Sequence, residues 1–294
     1  MNILGLDTER TYLFDDRKKS KDPICILSRE EVKSLKLANQ VVHEYQYYNR
    51  RMAEIGLNYR DFTETVEKYT EEVTSKEDIS DHSDLTEIIF VNVNRTMINL
   101  ISSLKVFVEH LEKRLKKKYN ENSVEYLKFK TVTANLYDGY FSYKLLINLR
   151  DHAIHVDFPI DSFTAESERI AGTKKNAIKL LIQFNRDKLL SDEKIERKLG
   201  PDLRRYNALF PVSHIMDEVP KLLKILFDAF LKIEKDYFVH HANVLLTYSS
   251  KNIHGTKTSF GRINHVSDGV ALFDTIVLPI EMIELLRQKL MGKK

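Results

Sequence analysis

Four residues that can move protons and bind phosphate are clustered at positions 150–155 of this chain. They are Arg150, Asp151, His152 and His155. The imidazole of histidine takes up and releases a proton near neutral pH, and the planar guanidinium of arginine binds phosphate through two parallel charged hydrogen bonds. Transfer of a phosphodiester to a neighbouring hydroxyl needs a base, an acid and positive charge beside the phosphate. The cluster therefore contains the residue types for cleaving a phosphodiester without a metal.

The spacing of these residues limits how they can work together on one helix. Five positions at about 100° each place Arg150 and His155 roughly 140° apart around an ideal helix, whereas Asp151 and His155 share a face. Arg150 must therefore reach around the helix, or the helix must loosen near His155, or a symmetric dimer must bring two helix ends together. Pro159 predicts that the helix ends just after the cluster.

Two long helices are predicted to position the cluster. Residues at i, i+3, i+4 and i+7 form one apolar stripe, which predicts a helix from Leu85 to about Lys118: Met97, Leu100, Ile101, Leu104, Phe107, Val108, Leu111 and Leu115. Polar residues 119–123 interrupt the pattern, and a second long helix is predicted over 124–154. The short polar turn between them predicts antiparallel packing.

The segments on either side are less regular. Residues 1–27 show no clear periodicity, and 15–22 form a charged piece that we expect to be mobile. Ser28 and Glu31 form a capping box that predicts a helix to about Ile55, closed by Gly56. A second amphipathic stretch covers 59–73, and 74–84 is a polar, acidic linker.

The C-terminal part mixes helical and strand patterns. Strands are predicted at 177–184, continuing through 186–190, and at 270–277, with a Gly- and Ser-containing link over 249–269. Helices are predicted over 212–246 and 279–290. These patterns predict a mainly α fold with a minor β element in the C-terminal part. They divide the chain into an N-terminal helical segment (1–84), a helical core (85–160) and an α+β extension packed on that core (161–294).

The composition excludes several classes of protein. The 294 residues carry a net charge of +3, so RNA binding has to be local rather than a property of the whole surface. Cys25 is the only cysteine, which rules out an internal disulfide and a Cys-rich zinc site. The N-terminus does not resemble a signal peptide, and no apolar run approaches the roughly 20 residues of a membrane span. We therefore expect a cytoplasmic protein without a membrane segment.

Secondary candidates lie on the first long helix. Lys113, Arg114 and Lys117 belong to a basic run at the predicted helix end, where cations interact favourably with the helix dipole. That interpretation is preferred, and a patch that contacts RNA phosphates is the alternative. Glu109 and His110 are on the same helix and are candidate accessory groups. Walker, dinucleotide-binding and serine-hydrolase motifs are absent from the sequence, so no cofactor is predicted.

The segment 85–160 resembles the ribonucleases of the HEPN family. Arg150, four intervening residues and His155 match their R-x4-H signature, a polar residue follows the arginine, and Pro159 follows the histidine as in bacterial members. The helical pair, with residues 140–143 leading into Arg150, is similar to theirs. The resemblance implies a helical bundle and a homodimer that builds its site from two copies of the motif. It also implies an endoribonuclease with a role in toxicity or antiviral defence, held in check by a partner protein.

Roles follow for the four clustered residues under this hypothesis. His155 is the general acid and base, and Arg150 anchors the phosphate. Asp151 is the orienting residue, which can orient the arginine or fix the tautomer of the histidine. His152 is a second proton carrier. Many members of the family carry Asn where this chain has Asp151, and an aspartate competes for Arg150.

Two rival hypotheses remain open. One is a helical binding or scaffolding module that keeps the HEPN shape without cleaving RNA. The other is a metal-dependent hydrolase that uses His152 and His155 as ligands, although H-E-x-x-H and a third ligand are absent from the sequence.

Overall fold

The computed structural model describes residues 9–16, 22–74, 83–169, 176–252, 257–267 and 270–291. They form a mainly helical protein with small antiparallel sheets, as predicted. The helices are α1 (Arg29–Thr74), α2 (Ser83–Tyr119), α3 (Val124–Gly139), α4 (Phe141–His155), α5 (Arg186–Leu190), α6 (Glu193–Leu203), α7 (Val212–Met216), α8 (Val219–Ser249) and α9 (Ile280–Met291). The strands are β1 (Thr11–Asp15), β2 (Asp22–Leu27), β3 (Ser162–Arg169), β4 (Asn176–Asn185), β5 (Leu209–Pro211), β6 (Thr258–Ser267) and β7 (Val270–Val277).

The chain divides into two compact units whose boundaries lie inside α1 and α8. One unit contains Met1–Asn49 and Leu231–Lys294, and the other contains Arg50–Phe230. The segment 85–160 predicted as the core lies within the second unit. The predicted linker at 74–84 lies almost wholly outside the described residues, as does the centre of the charged piece at 15–22.

In the first unit, a four-stranded antiparallel sheet has the order β2-β1-β6-β7. Strand β1 pairs with β6 from Thr11 opposite Arg262 to Asp15 opposite Thr258. The prediction that β structure is confined to the C-terminal part is therefore wrong, and the link predicted over 249–269 contains strand β6. Strands β1 and β2 are only five and six residues long, and β1 is completed by β6 from the other end of the chain.

The predicted capping box at the start of α1 is confirmed. Ser28 N donates to Glu31 Oε2 at 2.8 Å, and Glu31 N donates to Ser28 Oγ at 3.2 Å. The helix does not end at Gly56, however, but continues for 46 residues to Thr74. A glycine costs an exposed helix about 1 kcal/mol, and burial of Ile55 and Phe62 on either side offsets this cost.

In the second unit, α3 and α4 return along α2 in the antiparallel direction that the sequence predicts. Lys130 of α3 contacts Glu112 of α2 at 3.0 Å, and Asp151 of α4 contacts Lys105 of α2 at 2.7 Å. The single helix predicted over 124–154 is wrong, because Tyr140 is extended (φ −129°, ψ 106°) and separates α3 from α4. Gly139 directly precedes this break. Glycine has the lowest helix propensity of any residue except proline.

Two further predictions in this unit need correction. Residues 186–190 do not continue strand β4 but form α5, because the Asn185 side chain accepts from the amides of Asp187 and Lys188 and starts a helix. The helix predicted over 212–246 is interrupted at residues 217–218, between α7 and α8. Strands β4 and β7 and helix α9 agree with prediction. The second sheet has the antiparallel order β3-β4-β5.

Candidate functional site

Helix α4 carries the cluster and is positioned by its buried face. Tyr143, Leu146 and Leu149 are almost fully buried and recur at helical spacing. The helix ends at His155, and the amide of Val156 donates to the carbonyl of His152 at 2.8 Å. The helix end predicted before Pro159 is confirmed.

A buried asparagine holds the segment that follows the cluster. Asn94 of α2 is fully buried, and its Nδ2 donates to the carbonyl of Ile160 at 2.7 Å. The amide of Ile160 donates back to Asn94 Oδ1 at 3.0 Å. One side chain therefore satisfies both backbone groups of Ile160, as a neighbouring strand would. This pair fixes the exit of α4 against α2.

Asp151 is held between two cations. Lys105 Nζ contacts Asp151 Oδ1 at 2.7 Å, and Arg150 Nη1 contacts the same oxygen at 3.1 Å. Burial would raise the pKa of Asp151, but these two hydrogen bonds outweigh it and keep the pKa below the ordinary aspartate value. The carboxylate is therefore ionised at neutral pH, and the three charges together leave one net positive charge.

Arg150 is only half-buried, with 33% of its side chain exposed. One of its terminal nitrogens contacts Asp151, and its buried Nε has no hydrogen-bond partner among the described residues. Asp151 therefore occupies one donor of Arg150 that a phosphate could use, as predicted. Its carboxylate also pairs with Lys105, which weakens its hold on Arg150. The guanidinium keeps donors for a phosphate.

His152 is buried, with 1% of its side chain exposed, and pairs with an aspartate that the sequence analysis missed. Its Nδ1 lies 2.9 Å from Asp192 Oδ2. The other oxygen of Asp192 caps α6 by accepting from the amides of Lys194 at 2.8 Å and Ile195 at 3.4 Å. Asp192 just before the apolar pattern of α6 is a recognisable N-cap signal, but nothing in the sequence reveals its partner 40 residues away.

The pair joins α4 to α6 through buried polar groups. Burial would raise the pKa of Asp192, but the hydrogen bonds from His152 and from the two amides keep it below the ordinary value. The second ring nitrogen of His152, Nε2, is buried and has no partner in the described part of the chain. An unpaired buried polar group costs on the order of 1–3 kcal/mol, so the site favours any group that can bind this nitrogen.

His155 occupies the last position of α4 and is exposed. Within the described residues its side chain has no hydrogen bond or ion pair, so its imidazole is accessible for proton transfer. It borders a cavity of about 290 Å³ between α4 and α6, lined by Asn148, Asp151, His152, His155, Val156, Asp192, Glu193, Lys194, Ile195 and Lys198. Asp151, His152 and His155 thus meet at one cavity, and Arg150 is connected to it through Asp151.

Exposed apolar residues flank the accessible histidine in the sequence. Ile154, Val156 and Phe158 are 48%, 57% and 43% exposed. The ring of Phe158 packs edge-on against Phe90 of α2, with the ring centroids 5.0 Å apart. The end of α4 therefore carries three exposed apolar side chains close to His155 in the sequence.

The secondary candidates lie along α2, away from this cavity. Glu109 lines a separate cavity of about 350 Å³ that also contains Lys105, and His110 is half-buried. Lys113 and Lys117 are exposed, and Arg114 is half-buried. At 1.5 Å per residue, Lys113 and Lys117 are about 12 Å and 18 Å along the helix from Lys105. The structure therefore does not bring the basic run to the end of α4.

Comparison of the chain with models of protein families, with curated proteins and with solved structures finds no match. The resemblance to HEPN ribonucleases therefore depends on the residues of segment 85–160 alone. Among the described residues, no three His, Cys, Asp or Glu side chains are grouped so as to hold a metal ion. In the same part of the chain, none of the helices combines the length and apolar character needed to cross a bilayer.

Proposed function

We propose that the chain is a metal-independent endoribonuclease of the HEPN type, with a helical bundle of that type as its core. The observation that carries this proposal is the accessible imidazole of His155 at the free end of α4, next to an arginine held by the Asp151–Lys105 pair. The same helix end therefore supplies a group for proton transfer and a group for phosphate binding.

The reaction uses the 2′-hydroxyl of the substrate RNA as the nucleophile. The 2′-oxygen bonds to phosphorus as its proton passes to a base, and the bond from phosphorus to the 5′-oxygen breaks as an acid protonates that oxygen. The products are a 2′,3′-cyclic phosphate and a 5′-hydroxyl. His155 is the proton-transfer group, and Arg150 stabilises the negative charge that develops on the phosphate. The ionised Asp151 orients Arg150.

A homodimer fits this arrangement. Arg150 and His155 are about 140° apart on one helix, so two helix ends together can supply an arginine and a histidine to the same phosphate. The exposed Ile154, Val156 and Phe158 beside His155 are suited to bury against a second copy. Toxin or antiviral roles, and a partner that restrains activity, belong to the same proposal through the family resemblance.

Cleavage of a labelled RNA in EDTA by the purified full chain tests the proposal. We expect His155→Ala to cut at least about 100-fold more slowly, the usual contribution of a general acid or base. His43→Ala removes another exposed histidine, on α1, and serves as the control. Equal cleavage by His155→Ala and wild type, or cleavage that EDTA abolishes, would overturn the assignment.

A second candidate function is a HEPN-like module that binds RNA or a protein without cutting. The contact of Arg150 with Asp151 favours it, because the carboxylate occupies a donor that would otherwise bind phosphate. RNA binding without cyclic-phosphate products, in a chain that forms the dimer, would support this module over the nuclease.

A further inference from the structure

The cavity between α4 and α6 contains polar groups that the R-x4-H motif does not require. Asn148, His152 and His155 face it from α4, and Lys194 and Lys198 face it from α6. Lys198 Nζ donates to Asn148 Oδ1 at 2.9 Å, which holds the ammonium at the cavity wall. Two helices distant in the sequence therefore converge on one polar cavity beside the accessible His155.

The buried nitrogen of His152 indicates that a ligand belongs in this cavity. Nδ1 is bound to Asp192, whereas Nε2 is buried without a partner among the described residues. The side chain lines the cavity and is 1% exposed. The side chain of Asp192 already accepts from the amides of Lys194 and Ile195 at the start of α6, so we assign the binding of the ligand to side chains.

The charges around the cavity favour an anion. Its acidic groups are Asp151, Asp192 and Glu193. Asp151 pairs with Lys105 and Arg150, and the oxygens of Asp192 accept hydrogen bonds from His152 and two amides.

Lys105, Arg150, Lys194 and Lys198 carry four positive charges against the three negative charges of Asp151, Asp192 and Glu193. One net positive charge therefore remains, and protonation of His152 adds a second. The side chains of Glu193, Lys194 and Lys198 belong to residues on the exposed part of α6. They can therefore rearrange around a ligand without disturbing the core.

We propose that this cavity binds the RNA phosphate adjacent to the scissile one. Lys194 and Lys198 supply positive charge, and His152 in its imidazolium form donates from Nδ1 to Asp192 and from Nε2 to a phosphate oxygen. The proposal rests on the proposed ribonuclease function and adds a second phosphate contact from outside the segment that resembles HEPN proteins. It makes α6 a determinant of how the RNA strand runs past His155.

Salt-dependent binding of a short 2′-O-methyl RNA to the wild-type chain tests this, because that RNA cannot be cut through its own 2′-oxygen. The logarithm of the binding constant falls with the logarithm of salt concentration, by about 0.7 per phosphate contact in single strands. We expect Lys198→Gln to reduce this slope by about 0.7 and Glu193→Gln to strengthen binding. Arg197→Gln removes the same charge from the neighbouring exposed position outside the cavity and is the matched control.

A second readout follows His152 directly. In protein labelled with ¹⁵N-histidine, the Nε2 signal of His152 should shift when the same RNA saturates the chain. A slope for Lys198→Gln equal to that of Arg197→Gln, or an unmoved Nε2 signal at saturation, would overturn the proposal.

The outcomes separate this inference from the ribonuclease itself. If the wild type fails to cut ordinary RNA but Lys198→Gln lowers the salt slope, the phosphate subsite stands and the cleavage proposal fails. If the wild type cuts RNA and Lys198→Gln behaves as Arg197→Gln, the subsite is wrong and the cleavage proposal stands.

Discussion

The contact between His152 and Asp192 makes a quantitative prediction about stability. Asp192→Ala removes the N-cap of α6, which costs about 1 kcal/mol. It also removes the acceptor of a histidine with 1% exposure, and a buried donor left without a partner costs about 1–3 kcal/mol. We therefore expect Asp192→Ala to lower the free energy of unfolding by about 2–4 kcal/mol.

Two matched variants separate these contributions. Ser123 caps α3 by accepting from the amide of Tyr126 at 3.2 Å, and its hydroxyl donates to the exposed carbonyl of Asn120 at 2.9 Å. Ser123→Ala therefore measures the loss of a cap whose other hydrogen bond is exposed, at about 1 kcal/mol. Asp192→Asn keeps one oxygen for the amides of Lys194 and Ile195 and places its NH2 group opposite His152 Nδ1. That nitrogen can accept a hydrogen bond in the other imidazole tautomer, and asparagine is as good a cap as aspartate. It should therefore cost less than Asp192→Ala.

Urea unfolding followed by circular dichroism, together with hydrogen exchange of the α6 amides, measures these differences. The pH dependence adds a check with a definite sign. The pKa of Asp192 is lowered in the folded chain, so its ionised form stabilises the fold above the ordinary aspartate pKa, and this stability is lost as pH falls through the lowered value. Asp192→Asn should lose less stability in that acidic range. A cost for Asp192→Ala no larger than that of Ser123→Ala would refute the reasoning.

Two further predictions concern the residues around Arg150 and Ile160. Asp151→Asn should raise the rate of RNA cleavage, because the amide oxygen of asparagine can still orient Arg150 but carries no charge that competes with phosphate for it. The substitution should lower the free energy of unfolding by only about 0–1 kcal/mol, since the ion pair with Lys105 is partly exposed. A lower rate, measured beside the unfolding curve, would argue against competition for Arg150. Asn94→Ala leaves the amide and carbonyl of Ile160 unpaired and should cost about 2–4 kcal/mol. Unchanged thermal stability would show that the pair does not hold the segment after α4.

The sequence predicted correctly those elements that depend on interactions between residues close to one another in the chain. The apolar stripe of α2, the capping box at Ser28 and the helix end before Pro159 each depend on residues within a few turns of one another. The clustering of Asp151, His152 and His155 at one helix end followed from the same spacing.

What the sequence could not predict depends on contacts between distant residues. Strand β1 is completed by β6 from the other end of the chain, and Asp192 reaches His152 from 40 residues away. Gly56 signalled a helix end that tertiary burial overrides. Tyr140 gave no signal of the break between α3 and α4, because an aromatic residue is compatible with either conformation.

Helix α4 is attached to α2 at two points that do not depend on the turn joining α2 to α3. Ile160 is fixed to Asn94 and Asp151 to Lys105, so two separate points set where His155 lies. Neither depends on the exposed turn at Asn120, which has a left-handed backbone (φ 67°) and joins α2 to α3. A proteolytic nick in that turn would divide the chain into two fragments and still leave helix α4 docked on α2.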